Sequence, residues 1–459
     1  MPAIETFRDP QGRLYLEGDR VLREIYPDHL VPVLNWVQSS VAREWMRQGR
    51  LIPTAILPTA SGDAGLLEHE RLFFPSYPWE WSPGQWRAAA SLTLDLCEEA
   101  LGQGFILKDA TPLNVLFRGA QPVFVDVLSF EARDPRSPLW MAYAQFVRTF
   151  LLPLAAYVYL GWPLGWTQQR RDGYESADLA AWLPVLQRWR NPLRSLVTLP
   201  MLLEKRSSGN GANSRSYKRE TSEEVSGHLV RRTVRRTRRL LQMLVPPARA
   251  SRWSNYTDAA DHYEPADRAA KEDSFRRWLD RINPACVLDV GANSGVYSRI
   301  AAQGGADVVA WDTDVQATEM NWQAAQRDGL SILPLVADFA RPTPALGWQN
   351  SEQQGLLARA EKRFNCVTML GILHHLLVAD QIPLSAILDQ VARISKRWAI
   401  LEWIPKEDAQ FAGLCRGRDS LYDHLTESHF TEALSGKFAI RDYTYLPNGR
   451  SLWLLEISA

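Results

Sequence analysis

The stretch VLDVGANSGVYS, residues 287–298, joins a short apolar run to a turn with two glycines and then to a helical pattern. An apolar run of this length predicts a buried strand. Gly291 and Gly295 let the backbone pass close to a ligand at a point where a side chain would collide with it. Because strand, glycine turn and helix form the nucleotide-binding arrangement of doubly wound α/β sheets, the stretch predicts a site for a nucleoside-containing ligand.

A second apolar run, DVVAWD, supplies a carboxylate at the distance that such a site requires. It ends in Asp312, 23 residues after Asp289. A carboxylate in this position can accept hydrogen bonds from both hydroxyls of a ribose. The turn reads G-x-x-x-G and not the G-x-G-x-x-G pattern that cradles a pyrophosphate, so the sequence does not favour a dinucleotide.

Together these runs resemble motif I of the class I S-adenosylmethionine-dependent methyltransferases, and the resemblance covers about residues 250–459. The later apolar runs keep to the family's order, with a third strand, a fourth strand and its loop, a fifth strand and a final antiparallel pair: ILPLVADF, FNCVTMLGILHHL, RWAILEWIP, FAIRDYTYL and SLWLLEIS. The resemblance implies a Rossmann-like α/β sheet of seven strands with the last pair antiparallel. It also implies S-adenosyl-L-methionine as the cofactor.

The same resemblance implies a set of cofactor contacts. The residues expected to line the methionine and ribose side are Asp289, Gly291, Asn293 and Gly295. Asp312 would hold the ribose, Asp338 would read the adenine amino group, and Phe339 would pack on the adenine ring.

Methyl transfer to a hydroxyl needs an aligned nucleophile and a base that takes its proton. The loop after the fourth strand carries His374 and His375 at the mouth of the expected site, and histidine has a suitable unperturbed pKa. His375 is the first candidate base and His374 the second, with a packing or capping role as the alternative for either. Glu402, at the end of the fifth strand, is a third candidate, with an ion pair to Lys406 as its alternative. No Asn/Asp-Pro-Pro-aromatic stretch follows the fourth strand, which argues against methylation of exocyclic amines of bases or of glutamine.

Residues 255–275 lie just upstream of the first strand, where the family places a lid over the cofactor. Tyr256, Tyr263 and Lys271 are candidates for contacts there. Positions on a helix surface are the alternative for all three.

A different pattern occurs in the first half of the chain, at KDATPLNVLF, residues 108–117. Asp109 precedes Asn114 by five residues, and Asp126 follows twelve residues later, after two apolar runs and a glycine turn that predict a hairpin. This spacing resembles the catalytic loop of aminoglycoside-phosphotransferase-like and choline-kinase-like proteins, with a base Asp, a metal-binding Asn and a second metal-binding Asp. The resemblance implies an α+β kinase-like domain.

Several kinase features are nevertheless missing. There is no glycine-rich phosphate loop near the start, no lysine on a third strand, and Arg23 is the nearest cation. Without a phosphate cradle and its cation, phosphoryl transfer loses most of its electrostatic support. The sequence therefore predicts a degenerate kinase-like domain that presents the acceptor or binds a nucleotide or protein partner at Asp109, Asn114 and Asp126. Ordinary polar residues around a hairpin are the alternative.

Composition divides the chain into three parts. Residues 1–203 form the expected kinase-like domain, residues 204–250 a flexible linker and a basic helix, and residues 251–459 the cofactor-binding domain. The basic helix carries Arg231, Arg232, Arg235, Arg236, Arg238 and Arg239 beside apolar residues at helical spacing. Packing on one domain as a solvated helix is the first interpretation, and contact with RNA or an anionic membrane is the alternative.

The overall balance of charge gives no field toward a polyanion, since Lys+Arg and Asp+Glu both number 52. The cysteines are too scattered for zinc or a disulfide framework and predict free thiols in the cytoplasm. Residues 149–166 are apolar, but two prolines and two glycines interrupt them, which favours a buried helix followed by a turn over a membrane span. No signal peptide is expected.

The whole chain is similar to bacterial nodulation-type methyltransferases, in KDATPLNV, PVFVDVLSFE and EWIPKED. The expected function is methyl transfer from S-adenosylmethionine to a hydroxyl of a small molecule, glycan or lipid-linked acceptor. The alternatives are a non-catalytic scaffold that binds the cofactor or a partner, an RNA methyltransferase, and a bifunctional kinase and methyltransferase.

Overall fold

The structure is a computed structural model that describes residues 8–58, 65–209, 222–247 and 265–458. The chain divides into two compact units, Met1–Ala248 and Arg249–Ala459. The first is called the N-terminal unit and the second the C-terminal unit.

The C-terminal unit is built on one seven-stranded sheet. Its strands in chain order are β9 (Cys286–Val290), β10 (Asp307–Asp312), β11 (Ile332–Val336), β12 (Phe364–Met369), β13 (Ser395–Trp403), β14 (Phe438–Tyr445) and β15 (Ser451–Ile457). Across the sheet the order is β11-β10-β9-β12-β13-β15-β14. The first five strands are parallel neighbours, and β15 is antiparallel to both β13 and β14. The predicted seven-stranded sheet with a final antiparallel pair is confirmed.

Helices connect these strands and cover the sheet. They are α10 (Pro265–Ile282), α11 (Val296–Gln303), α12 (Val315–Asp328), α13 (Leu356–Ala360), α14 (Leu373–Val378), α15 (Leu384–Ile394), α16 (Ala409–Cys415) and α17 (Glu427–Leu434). The central strand β9 is buried at every position, which explains why its sequence is apolar except at Asp289 and does not alternate. The strand order changes direction between β9 and β12, so the loops at the carboxyl ends of these strands form a crevice where ligands bind in open α/β sheets.

The N-terminal unit is α+β. Its strands are β1 (Gly12–Glu17), β2 (Arg20–Ile25), β3 (Thr54–Leu57), β4 (Gly65–His69), β5 (Phe105–Leu107), β6 (Val115–Arg118), β7 (Gln121–Phe124) and β8 (Phe130–Ala132). The first four form an antiparallel sheet in the order β1-β2-β4-β3, while β5 pairs with β8 and β6 with β7. The β6–β7 pair is the hairpin predicted between Asn114 and Asp126.

The helices of the N-terminal unit are α1 (Leu30–Val37), α2 (Ser40–Arg47), α3 (Pro83–Gly102), α4 (Tyr143–Phe146), α5 (Leu152–Leu160), α6 (Ser176–Ala180), α7 (Val185–Arg188), α8 (Leu199–Gly209) and α9 (Glu223–Met243). Helix α3 begins after Ser82, with a proline at its first position. The Ser82 hydroxyl accepts a hydrogen bond from the Gln85 N–H, and the Gln85 side chain accepts one from the Ser82 N–H, at 2.9 Å. This capping box satisfies two donors that a helix start otherwise leaves unpaired.

The apolar segment of residues 149–166 contains a buried helix, as predicted. Helix α5 is buried over most of its length and ends at Gly161, whose φ of 73° is left-handed. Among the described residues, no helix combines the length and the apolar content needed to cross a bilayer. The four cysteines are free and buried.

The basic helix α9 packs on α3 within the N-terminal unit. Its apolar side is buried through Val230, Val234 and Leu241, and Arg238 pairs with Asp95 and Glu98 of α3. The interpretation of a solvated helix packed on one domain therefore holds for this face.

The expected linker is partly wrong. Residues 204–209 continue α8, although their serines and glycine predicted a flexible chain, because helix propensity is a weak prior that context overrides. The rest of the expected linker between residues 210 and 221 lies outside the described residues.

Candidate functional site

A cavity of about 420 Å³ lies at the carboxyl ends of β9, β10, β11 and β12. The loops after all four strands contribute to its wall, as do α10, α14 and the turn before β15. The sequence-predicted residues that line it are Lys271, Gly291, Asn293, Asp312, Asp338, Phe339 and His375. Its position is the crevice that the sheet order predicts for a ligand.

The loop from β9 to α11 forms the floor of the cavity. Gly291 has a φ of 73°, and a Cβ there would lie 2.8 Å from the Ile372 side chain. Gly295 has a φ of 81°, and a Cβ there would lie 2.0 Å from the Asn321 side-chain oxygen. Only glycine meets both the left-handed backbone and the close approach, which explains the G-x-x-x-G pattern. Gly295 packs against α12 and is not among the lining residues.

Asp312 sits at the end of β10 with both carboxylate oxygens engaged by backbone. One oxygen accepts a hydrogen bond from the N–H of Asn293 at 2.7 Å, and the other accepts one from the N–H of Asp314 at 2.8 Å. Burial raises the pKa of Asp312 to about 6, against the opposing effect of these two N–H donors. Each oxygen keeps a second lone pair, so the carboxylate can still accept from a ligand diol.

Asp338 and Phe339 follow β11 on the neighbouring wall. The Asp338 carboxylate accepts hydrogen bonds from the N–H groups of Ala340 and Arg341, and pairs with the Arg341 guanidinium at 2.9 Å. Phe339 is buried and presents a ring to the same wall. An acid beside an aromatic ring suits a base that offers an amino group and a flat face.

Asp289 lies beneath the cavity and is not among its lining residues. Its carboxylate accepts hydrogen bonds from the Ser298 hydroxyl at 2.6 Å and the Thr368 hydroxyl at 2.9 Å. Burial raises its pKa, although these donors oppose the effect. Asp289 therefore connects β9 to α11 and β12 and supports the glycine loop from below.

The two histidines after β12 have different surroundings. His375 lines the cavity and is half-buried, whereas His374 is buried and does not line it. Burial lowers the pKa of His374 to about 3, and the positive field of His375 and Arg450 acts in the same direction. The site therefore has one imidazole in its wall and a second one, neutral, behind it.

Glu402 is fully buried in a network of charges at one end of the cavity. Its carboxylate lies 2.7 Å from Lys271 Nζ and 3.7 Å from the Arg450 guanidinium. The expected alternative partner, Lys406, instead pairs with Asp423 at 2.8 Å. Glu402 therefore forms an ion pair, as the alternative interpretation expects, but with Lys271 and not with Lys406.

The cations of this network face the cavity. Lys271 and Arg450 line it, and the Lys271 ammonium also lies 4.9 Å from the Tyr297 ring centroid. Arg450 also contacts Asp408 at 2.8 Å. Burial lowers the pKa of Lys271, while Glu402 opposes the effect. Of the three expected lid residues only Lys271 is described; Tyr256 and Tyr263 lie outside the described residues.

Sequence reasoning missed several residues of the wall. Tyr297 and Ile372 line the cavity from within quoted stretches but were not identified as site residues, and Arg341 and Arg450 line it from outside any motif. Arg450 follows a turn that predicts only a hairpin. Its charge is placed by Asp408 and Glu402, which are distant in sequence, so no local signal could have identified it.

A second polar cluster lies in the N-terminal unit, around the kinase-like spacing. The Asn114 side chain donates to the Asp109 carbonyl at 3.3 Å and to the Ser129 hydroxyl at 2.9 Å, and Ser129 in turn donates to Asp126 at 2.5 Å. Hydrogen bonds therefore link the three residues that the sequence spacing identified, with Ser129 between Asn114 and Asp126. Burial raises the pKa of Asp109, and the charge of Asp126 adds to the effect.

A cation already occupies one side of this cluster. The guanidinium of Arg23, on β2, lies 3.1 Å from an Asp126 oxygen and 2.9 Å from Asp9. Arg23 is buried, so this pair is shielded from solvent. The sequence identified Arg23 only as the nearest cation, and the structure brings it into contact with Asp126.

In the C-terminal unit, the strand order, the glycine loop after β9 and the acids after β10 and β11 together define the fold of the class I methyltransferases. This is the class whose members bind S-adenosylmethionine at the carboxyl ends of the same strands.

The nodulation protein NoeA of Rhizobium meliloti (strain 1021) is 29% identical to the chain over 472 residues, which cover 99% of this chain and 95% of that protein. The predicted likeness of the whole chain to a nodulation protein is thereby confirmed. No protein-family model matches the chain.

Solved structures give weaker likenesses. Magnesium protoporphyrin IX methyltransferase from Synechocystis PCC 6803 with bound SAH is 20% identical, with 42% of this chain and 84% of that chain covered and a TM-score of 0.32. The N-methyltransferase NodS from Bradyrhizobium japonicum WM9 is 13% identical, with 43% and 99% covered and a TM-score of 0.32. The bifunctional kinase-methyltransferase WbdD is 17% identical, with 44% and 41% covered and a TM-score of 0.31. TM-scores this low support no inference about substrate.

Proposed function

We propose that the C-terminal unit transfers a methyl group from S-adenosylmethionine to a hydroxyl of a small molecule, glycan or lipid-linked acceptor. The observation that carries the proposal is the composition of one cavity. Asp312, Asp338 and Phe339 follow β10 and β11 on one side, and His375 follows β12 in the same wall. A nucleoside and a proton acceptor thus have places within one enclosed space.

The residues present fit the cofactor. Its ribose diol matches the carboxylate of Asp312, and its adenine matches the acid and ring of Asp338 and Phe339. Its amino-acid end carries a carboxylate, for which Lys271 and Arg450 supply positive charge at the other end of the wall. The tight fit of Gly291 against Ile372 leaves room for the ligand and none for a side chain.

When bound, the cofactor supplies a methyl group activated by a sulfonium. The protein's part is to hold the acceptor oxygen in line and to take its proton. His375 is the imidazole in the cavity wall, and we assign it the role of base. Its neighbour His374 stays neutral and buried behind it, and the carboxylate of Glu402 is held by two cations. Both are therefore poorer candidates.

The first test is calorimetric titration of the whole protein with S-adenosylhomocysteine. We expect saturable binding that Asp312→Ala weakens by about a hundredfold, since a buried carboxylate paired with a diol contributes roughly 3 kcal/mol. Asp328→Ala is the matched control, because Asp328 is an exposed acid at the end of α12. Absence of binding in the wild-type protein would exclude the proposed cofactor.

A second test separates the base from the binding site. With radiolabelled S-adenosylmethionine and an extract fraction that accepts label, His375→Ala should lower transfer by about 10²–10⁴-fold, as expected for loss of a general base. Its affinity for S-adenosylhomocysteine should remain close to that of the wild type. Equal activity in His375→Ala and the wild type would remove His375 from the mechanism.

We further propose that the N-terminal unit is a kinase-like scaffold without phosphoryl transfer. The supporting observation is the Arg23–Asp126 ion pair, which places an internal cation on the acid expected to hold a metal ion. A guanidinium there neutralises the carboxylate and repels a divalent cation. In this proposal the unit presents the acceptor or a partner.

Titration with Mg-ATP tests this second proposal. We expect no binding by the wild-type protein or by Asp109→Asn. Magnesium-dependent binding that Asp126→Ala abolishes would favour the bifunctional alternative instead. An RNA acceptor is less well supported, because Arg235 and Arg238 of α9 are committed to acids of α3.

A further inference from the structure

The N-terminal unit exposes an unusual group of large apolar side chains between α5 and α8. Trp166, Trp182, Val185, Leu186 and Trp189 are all exposed, and Leu186 and Trp182 reach 83% and 70%. Single exposed apolar residues are ordinary, whereas a contiguous group indicates an interaction site. These five residues are called the tryptophan surface.

Side-chain contacts hold part of this surface together. The Trp162 ring lies 6.1 Å from the Trp166 ring and 6.4 Å from the Trp182 ring, centroid to centroid. Val185 and Leu186 follow Trp182 by three and four residues on α7, and Trp189 caps the end of that helix. The Thr198 hydroxyl donates to the Arg188 carbonyl at 2.6 Å, which anchors the start of α8, with its exposed Leu199, beside α7.

The charged residues of the segment that carries most of the tryptophan surface have one sign. Residues 181–203 contain three arginines, Arg188, Arg190 and Arg194, and no acidic residue. Arg236 of α9 approaches the same region, since its guanidinium lies 3.5 Å from the Ser195 hydroxyl.

Two of the acids that precede this segment are paired with arginines. Glu175 pairs with Arg148 at 2.7 Å, and Asp178 pairs with Arg170 at 2.8 Å. Residues 181–203 therefore bring only positive charge to the tryptophan surface.

We propose that the tryptophan surface docks the protein on a bilayer containing anionic phospholipids. Tryptophan favours the interface between headgroups and acyl chains, because its ring is apolar and its N–H is polar. Leucine and valine beside it would bury apolar area in the acyl boundary, while the arginines meet lipid phosphates. This inference stands apart from the proposed methyl transfer and would hold whatever the acceptor.

The charge pattern argues against a second copy of the chain as the occupant. A two-fold contact would bring the same surface from both copies together. The arginines of residues 181–203 would then face each other with no acid from that segment between them, and like charges in contact are unfavourable. An anionic bilayer offers the complementary charge.

Vesicle sedimentation of the full-length protein tests the proposal. The probes are vesicles of phosphatidylcholine alone and of phosphatidylcholine mixed with phosphatidylglycerol, at low and at moderate salt. We expect binding to the mixed vesicles that weakens with salt. V185Q/L186Q should lose about tenfold or more of this binding through lost apolar burial. R190Q/R194Q should lose about tenfold through lost attraction to phosphate.

Matched controls come from the same unit. Val31→Gln removes another exposed aliphatic side chain, and Arg43→Gln another exposed arginine. Both should bind vesicles as the wild type does. All variants should keep the urea unfolding curve of the wild type, which separates loss of docking from loss of fold. They should also keep their affinity for S-adenosylhomocysteine, which separates it from failure of the methyltransferase proposal.

Three results would overturn the proposal. One is absence of wild-type binding to either kind of vesicle. Another is binding that V185Q/L186Q and R190Q/R194Q leave unchanged. The third is a dimer in size-exclusion chromatography that V185Q/L186Q converts to a monomer without any vesicle binding, which would assign the surface to self-association.

Discussion

The carboxylate of Asp312 is buried against two backbone N–H groups, and this placement determines how the site should respond to pH. Its raised pKa of about 6 means that the ionised form dominates above that pH and the protonated form below it. Only the ionised carboxylate can accept a hydrogen bond from a ribose hydroxyl at each of its oxygens, because protonation turns one oxygen into a donor.

Affinity for S-adenosylhomocysteine should therefore be constant in mildly alkaline buffer and fall as the pH drops through about 6. Well below that value the loss should approach about tenfold per pH unit, because the ionised fraction falls by that factor. Calorimetric titration over this range checks the slope. Asp312→Asn should bind weakly and show no such dependence, and a wild-type curve that stays flat to pH 5 would contradict the assignment.

Glu402 shows a second residue-scale effect, which concerns stability. Glu402→Gln leaves Lys271 and Arg450 facing a neutral amide in a buried place. Removing one partner of a buried ion pair costs about 3–5 kcal/mol, so the free energy of unfolding in urea should fall by roughly 3 kcal/mol. The control is Lys406→Ala, since the exposed pair of Lys406 with Asp423 should contribute little. Unchanged stability with lost turnover would instead favour Glu402 as the base.

At the scale of elements, the turn between β9 and α11 is fixed by close packing as well as by backbone conformation. Gly295→Ala should combine a left-handed strain of about 1–2 kcal/mol with a clash against Asn321 worth about 1–3 kcal/mol more. Gly305→Ala is the matched control, because Gly305 has a φ of 92° and nothing near its missing Cβ. The difference between the two variants in their free energy of unfolding in urea gives the cost of the clash. Equal losses of stability would show that Asn321 moves aside.

Secondary-structure elements could be predicted from the sequence more readily than the long-range contacts between side chains. The strands of the C-terminal unit carry a local signal, a short and mostly apolar run, and the sequence predicts them correctly. Helix α8 ran on through a Ser-rich segment that reads as flexible. Lys271 and Arg450 form ion pairs with Glu402 although they are distant from it in sequence. Local sequence patterns do not predict such pairs.

At the scale of the whole molecule, the two units should respond differently to ligand. Hydrogen exchange measured with S-adenosylhomocysteine should show slower exchange in the loops after β9, β10, β11 and β12, because bound ligand suppresses local opening there. Exchange within residues 8–247 should not change. Protection that also spread around Asp109 and Asp126 would show that the N-terminal unit senses the cofactor.

The charge network around Glu402 also has a consequence for the order of folding. Lys271 comes before the first strand of the C-terminal unit, Glu402 lies 131 residues later, and Arg450 follows the last turn of the sheet. Contacts across such long stretches close late, since the intervening chain must first lose its freedom. During synthesis the glycine loop can make its contacts with β10 and α12 once these elements have emerged, whereas the cationic wall must wait for β15. A nascent chain would thus have the glycine-loop side of its cavity long before the cationic side needed to bind the ligand is complete.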